Sequence, residues 1–205
     1  MKRRIRTSIG QALRILLTGA FFFGRFVRRR RVKPTNPQTI LIVRFDLMGD
    51  IVNALSAAAA ARTRWPNAYI AFMVPEQWTP IVMRCKAIDE AISFDGGALT
   101  HWPAVLDLRA WVAAFNTLKR IRSRRFDLAV SIYGPIAGTV VALSGAHWKT
   151  GYQSEAPRWS FDQNIQGSRF NGGPHEAALA ANLIGNTPPT WSVVQARTKV
   201  GQDTK

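Results

Sequence analysis

Four residues in one short stretch could do chemistry: Arg44, Asp46, Gly49 and Asp50. They follow Thr39-Ile-Leu-Ile-Val-Arg44, a β-branched apolar run of the kind that forms a fully buried parallel strand. In open α/β sheets ligands gather at the carboxyl ends of the strands, so this strand would deliver all four to a binding edge. The Ala-rich segment from Ile51 to Trp65 predicts a helix beyond them, whose first backbone N–H groups would face an anion. Gly49 would let the backbone turn tightly ahead of that helix. Asp50 has two readings. It suits the N-cap of the helix, and it suits a general base that accepts a proton from a bound hydroxyl. The spacing is not G-x-G-x-x-G and no lysine follows the glycine, so neither a dinucleotide fingerprint nor a nucleoside-triphosphate loop is present here.

Other candidates are sparser. His101, His147 and His175 lie far apart and give no metal-ligand spacing, so no metal is expected. Cys85 is the single cysteine, which excludes an internal disulfide and weighs against a cysteine zinc site. It falls in a predicted helix from Thr79 to Lys86, flanked by Arg84 and Lys86 without a nearby histidine, and reads as a buried thiol rather than a nucleophile. Arg158, Trp159 and Arg169 fall in a polar, Gly-rich stretch over 153–173 that reads as a long functional loop. Saccharide stacking and phosphate contact are one reading of them; anchoring the loop to its own domain is the other.

The elements that must position these residues alternate. Strands are expected at 39–44, Ala68–Val74, Ala91–Phe94, Phe126–Ile132 and Ala146–Gly151, the last being the final strand. Helices are expected at Ile51–Trp65, Trp78–Lys86, Pro103–Arg125, Ile136–Leu143 and His175–Ile184, with a turn at Gly134. Strands alternating with helices imply parallel pairing through right-handed crossovers, hence an α/β, Rossmann-like layered sheet.

Charge divides the chain. Of 28 basic residues, 11 lie in residues 1–33, which hold no acid. The other 17, against 12 acids, leave +5 of the net +16 on the remainder. Ile5, Ile9, Leu13, Leu16, Ala20, Phe23 and Val27 recur at spacings of three or four, on one helical face. The longest uncharged run, Ile15–Gly24, is ten residues, half of what a bilayer span needs. Residues 1–33 therefore read as a basic amphipathic helix lying on a membrane surface. Phe21, Phe22 and Phe23 would enter the headgroup boundary, while Arg25, Arg28, Arg29, Arg30 and Arg31 hold anionic lipid. A flexible basic extension that binds nucleic acid is the competing reading, but the phenylalanines are not interleaved with polar residues as a stacking platform requires, so no nucleic acid is expected. Residues 34–38, with two prolines, form a hinge.

Ile40-Leu-Ile-Val-Arg-Phe-Asp-Leu-Met-Gly-Asp-Ile-Val52 resembles the opening of glycosyltransferase family 9, the ADP-heptose:lipopolysaccharide heptosyltransferases. The resemblance continues through Arg64-Trp-Pro-Asn-Ala-Tyr-Ile70, Ile88-Asp-Glu-Ala-Ile-Ser-Phe94, Arg125-Phe-Asp-Leu-Ala-Val130 and His175-Glu176, so it spans residues 39 to about 185 in order. It implies the N-terminal, acceptor-side domain of a GT-B fold, over 39–185. The implied reaction passes a heptose, with inversion, from ADP-heptose to a lipopolysaccharide core or related glycolipid. Asp50 then maps onto the catalytic base, and Arg44, Met48, Gly49, Gly134 and His175 onto acceptor-binding positions, Arg44 toward a phosphate or carboxylate of the acceptor. No cofactor is implied in this chain; the nucleotide sugar would bind a donor domain that residues 186–205, a polar tail, do not supply. Ser131 and Tyr133 depart from the family pattern, which often has Asp and Gln near the end of the fourth strand, and the basic N-terminal helix is an addition. The resulting expectation is an incomplete, heptosyltransferase-type enzyme, inactive without its other half, cytoplasmic and peripheral on the inner face of the plasma membrane. A non-catalytic membrane-surface module for phosphorylated glycolipid and a nucleic-acid binder are the alternatives.

Overall fold

The computed structural model describes residues 31–94, 108–152, 160–165 and 175–185. The chain divides into two units, Met1–Val32 and Lys33–Lys205. The expected N-terminal helix, with Phe21–Phe23, Arg25 and Arg28–Arg30, lies outside the described residues; so do Arg158, Trp159, Arg169 and the polar tail. Arg31 is described and belongs to no helix or strand.

The second unit is built on a parallel sheet. Its strands are β1 (Thr39–Arg44), β2 (Tyr69–Val74), β3 (Glu90–Ser93), β4 (Leu128–Tyr133), β5 (Trp148–Tyr152) and β6 (Gln163–Ile165). They stand in the order β3-β2-β1-β4-β5-β6, every neighbouring pair parallel. The helices are α1 (Met48–Arg64), α2 (Thr79–Val82), α3 (Leu108–Arg124), α4 (Pro135–Leu143) and α5 (Glu176–Asn182).

Burial on both faces of the sheet explains the unbroken apolar runs. Successive side chains of β1 point to opposite faces. Ile40 and Ile42 join a core with Ala54, Ala58 and Leu179, from α1 and α5. Leu41 and Val43 join another with Ala114, Ile121 and Val140, from α3 and α4. Alanines line both sides of the α1–α5 contact (Ala54, Ala57 and Ala61; Ala177, Ala180 and Ala181), all buried. Their short side chains allow the two helices to approach closely, which brings the start of α5 beside the start of α1.

At the other edge of the sheet, one device recurs three times. Asp127 stands one residue before β4, and its Oδ2 accepts from the backbone N–H of Gln38 at 2.8 Å and of Thr39 at 3.0 Å. Asp89, one residue before β3, accepts from Ile70 N–H at 2.7 Å, and Asp162, one before β6, from Lys149 N–H at 3.0 Å. Each carboxylate satisfies a donor where the neighbouring strand begins and so fixes its register. These acids are structural.

Three expectations need correction. The predicted helix over 78–86 is a 3-10 turn at Glu76–Trp78 followed by α2, which ends at Val82. Beyond it Cys85 N–H bonds Val82 O at 3.0 Å and Ile88 N–H bonds Cys85 O at 3.2 Å, tight turns that lower the chain toward β3. Cys85 is nevertheless buried, and burial pushes its thiol up, as an inert thiol requires. The strand at 146–151 is not the last: β6 interrupts the predicted loop, pairing with β5 from Thr150–Gln163 to Tyr152–Ile165. Finally, Met48 and Gly49 are not in a turn but in the first turn of α1.

Candidate active site

The strand order reverses direction between β1 and β4, and at such a point the outgoing connections diverge and leave a crevice at the carboxyl edge. Arg44 and Tyr133 end these two strands and are partners in register. The Arg44 guanidinium lies 4.9 Å from the centre of the Tyr133 ring, within cation–π range.

The Arg44 side chain is only 3% exposed, and three carboxylates surround its Nη2. Asp46 Oδ2 and Glu176 Oε1 are each 3.1 Å away and Asp50 Oδ1 is 3.6 Å away. The Asp46 contact is an ion pair without hydrogen-bond alignment, and Arg44 Nε is buried with no hydrogen-bond partner. A buried, unmatched donor costs about 1–3 kcal/mol, so the three-acid arrangement is held at some expense. The sequence expectation gave Arg44 an acceptor's phosphate or carboxylate; the structure gives it the protein's own acids.

Asp50 is not the N-cap. Leu47 holds that position with extended backbone (φ −67°, ψ 160°) and no side-chain cap, and Asp50 is the third residue of α1. The capping reading is therefore overturned. The helix begins earlier because Leu47 O already accepts from Ile51 N–H at 3.1 Å, while Asp46 Oδ1 accepts from Leu47 N–H at 3.2 Å. One turn into the helix, the Asp50 carboxyl meets Glu176, the first residue of α5. Its pKa is pushed up to about 6. Burial is the largest cause, then a hydrogen bond with the Glu176 side chain and the negative charges of Asp46 and Glu176, with Arg44 alone opposing. Two acids that hydrogen-bond each other share a proton, and a carboxyl poised near 6 is matched to proton transfer near neutral pH.

Glu176 is placed by the anchoring of α5. Tyr152 Oη donates to Leu179 O at 2.5 Å, Ser56 Oγ to Ala177 O at 2.6 Å and Arg64 Nη1 to Ile184 O at 3.3 Å. Burial raises Tyr152 to about 12, which keeps it a neutral donor. His175 caps α5: its Nδ1 accepts from Ala177 N–H at 3.2 Å. Gly134, at φ 86° and ψ 152°, turns the chain from β4 into α4 in a conformation open essentially to glycine alone. Gly49 has no such need; a Cβ there would meet nothing within 4 Å, so the start of α1 borders open space. Leu47 (74% exposed) and Met48 (49%) form an apolar rim beside it.

The structure thus brings Arg44, Asp46 and Asp50 together, with Gly134 at the end of the adjoining strand. It adds Glu176, which sequence reasoning did not single out as chemical; only its place after His175 in the resemblance pointed to it. Among the described residues no group of three or more His, Cys, Asp or Glu is arranged to hold a metal ion.

No family model and no curated protein matches the chain. Solved structures do share its fold. The Escherichia coli heptosyltransferase WaaC with ADP superposes with a TM-score of 0.61 at 18% identity, over 74% of this chain and 49% of that one. WaaC with ADP-2-deoxy-2-fluoro heptose gives 0.60 at 18% identity, over 74% and 50%. The glycosyl transferase family 9 structure from Veillonella parvula gives 0.56 at 14%, over 79% and 45%. The fold is therefore that of one layered half of a GT-B glycosyltransferase, shared with the family that the sequence resembles. The chain spans about half the length of these structures.

Proposed function

We propose that this chain is the acceptor-side part of a glycosyltransferase of the family 9, heptosyltransferase type, with Asp50 as its general base. The observation that carries the reading is the Asp50 carboxyl, raised to about 6 and poised beside Glu176 in the crevice between β1 and β4. An acceptor hydroxyl beside Asp50 would lose its proton to the carboxylate as its oxygen attacks the anomeric carbon. The sugar–phosphate bond breaks on the opposite side, the nucleoside diphosphate leaves, and the configuration inverts. Arg44 holds the carboxylate in place and prevents three acids in one crevice from repelling each other apart. The open space beside Gly49 leaves room for the acceptor close to the helix backbone, and the apolar rim of Leu47 and Met48 would lie along it; contacts from Gly134 and His175 belong to the same reading.

A nucleotide sugar as donor is supported by the ADP and ADP-2-deoxy-2-fluoro heptose named with the WaaC structures. ADP-heptose as donor, a lipopolysaccharide core as acceptor and a peripheral cytoplasmic site on the inner membrane complete the proposal. The donor-binding domain would be supplied by another segment or chain. The test is transfer of heptose from ADP-heptose to a core acceptor, with a family 9 donor-binding domain added in trans. Activity that requires both parts and falls by at least about a hundredfold in Asp50→Asn is expected; transfer undiminished in that variant would refute the base assignment.

A further inference from the structure

We propose that the outward face of α3 docks on an anionic lipid surface. The inference does not rest on the role given to Asp50. Ala114 and Ile121 bury the inner side of α3 against the sheet. On the outer side Val112, Phe115, Lys119 and Arg122 follow at spacings of three, four and three, one stripe along the helix, with Arg120 beside it. Val112 is 52% exposed and Phe115 68%. Lys119, Arg120 and Arg122 are exposed, as is Arg125 just past the helix, and no acid occurs from Leu108 to Arg125. Arg124 is ion-paired with Glu90, whose carboxylate also feels the charge of Arg120. Among the described residues Arg122 bonds a main-chain carbonyl, Leu143 O at 3.4 Å, and no acid.

Val112 and Phe115 together form an exposed apolar pair beside the cations rather than a single scattered surface residue. An exposed apolar pair on a stripe whose charged residues are all cations, Arg109 before it and Lys119 and Arg122 after it, matches a lipid interface, where the aromatic enters the acyl boundary and the cations meet phosphates. Topology adds a direction. Helix α3 returns from the end of β3 to the start of β4, so Val112 and Phe115 lie toward the carboxyl edge of the sheet, which also holds Asp50.

The test uses the full chain in a Cys85→Ala background, with an environment-sensitive nitrobenzoxadiazole label at Phe115→Cys or, as control, at the exposed Gln77→Cys. Vesicles of phosphatidylcholine with and without phosphatidylglycerol are added, and partition is measured by sedimentation. A blue-shifted, brighter emission at position 115 on the anionic vesicles, with none at 77, is expected. Lys119→Ala with Arg120→Ala should weaken partition about thirty-fold, at about 1 kcal/mol per basic residue. An unchanged label at 115 on protein that sediments with vesicles would overturn the proposal, because binding would then run through other residues. So would an equal response to neutral vesicles, a response to duplex DNA without lipid, or one that depends on protein concentration alone. Unaltered partition of the double variant would overturn the charge argument.

Discussion

Asp50→Asn should make the protein more stable at pH 8 and leave its stability nearly unchanged at pH 4. The folded state raises the Asp50 pKa from 3.8 to about 6. Between those values the native protein binds a proton that the unfolded chain has released, so stability falls as pH rises through the window. Above pH 6 the folded protein carries the full cost of an ionised carboxylate in a crowded acidic crevice. About two pKa units correspond to about 3 kcal/mol as a ceiling. The side chain is 24% exposed, so solvent screening reduces this, and ~1 kcal/mol is the working figure. Asparagine mimics the protonated acid and its Nδ2 can donate to Glu176, so the variant recovers that energy at pH 8. For a chain of this size the gain is about 2–4 °C in Tm. Thermal unfolding of both proteins at pH 8 and pH 4, followed by circular dichroism, gives the comparison. A variant that melts lower at pH 8, or a difference in Tm that is the same at both pH values, would refute the argument that Asp50 is held against its own ionisation.

Glu176→Gln should lower the Asp50 pKa from about 6 toward 3.8 without reaching it, because burial and Asp46 remain; carbon-13 NMR titration of labelled aspartate carboxyls reads this directly. Asp127→Ala removes the acceptor for Gln38 and Thr39 N–H at the start of the central strand, and urea unfolding should show a loss of about 2–3 kcal/mol. Gly134→Ala forces a side chain into φ 86° and should cost about 1–3 kcal/mol in the same measurement.

Much of the fold is legible in the sequence because its signals are local. The runs at 40–43, 69–74 and 128–130 are apolar without interruption, and the segments between them carry helical patterning, so an alternating parallel sheet follows. The strand that escapes notice, β6, is Gln163-Asn164-Ile165, half-buried at the sheet edge and without an apolar run. The site divides in the same way. Arg44, Asp46 and Asp50 lie within seven residues of one another and announce themselves as a strand end. Glu176 lies 126 positions beyond Asp50 and reaches it only because two alanine-lined helices pack together, a consequence of tertiary assembly that no local pattern contains. The capping role first open to Asp50 fails for a related reason: Asp is a good cap, but the backbone here starts its helix at Met48, and Leu47 takes the position by geometry alone.

The cluster around Arg44 sets one cation against three acids, whereas residues 34–205 together carry +5. The crevice is thus a negative island in a positive protein. A phosphorylated ligand would be repelled at the island itself, and would turn its anionic end outward and a neutral hydroxyl inward. The charge pattern alone would then select which end of such a molecule meets Asp50, before any shape-specific contact is made.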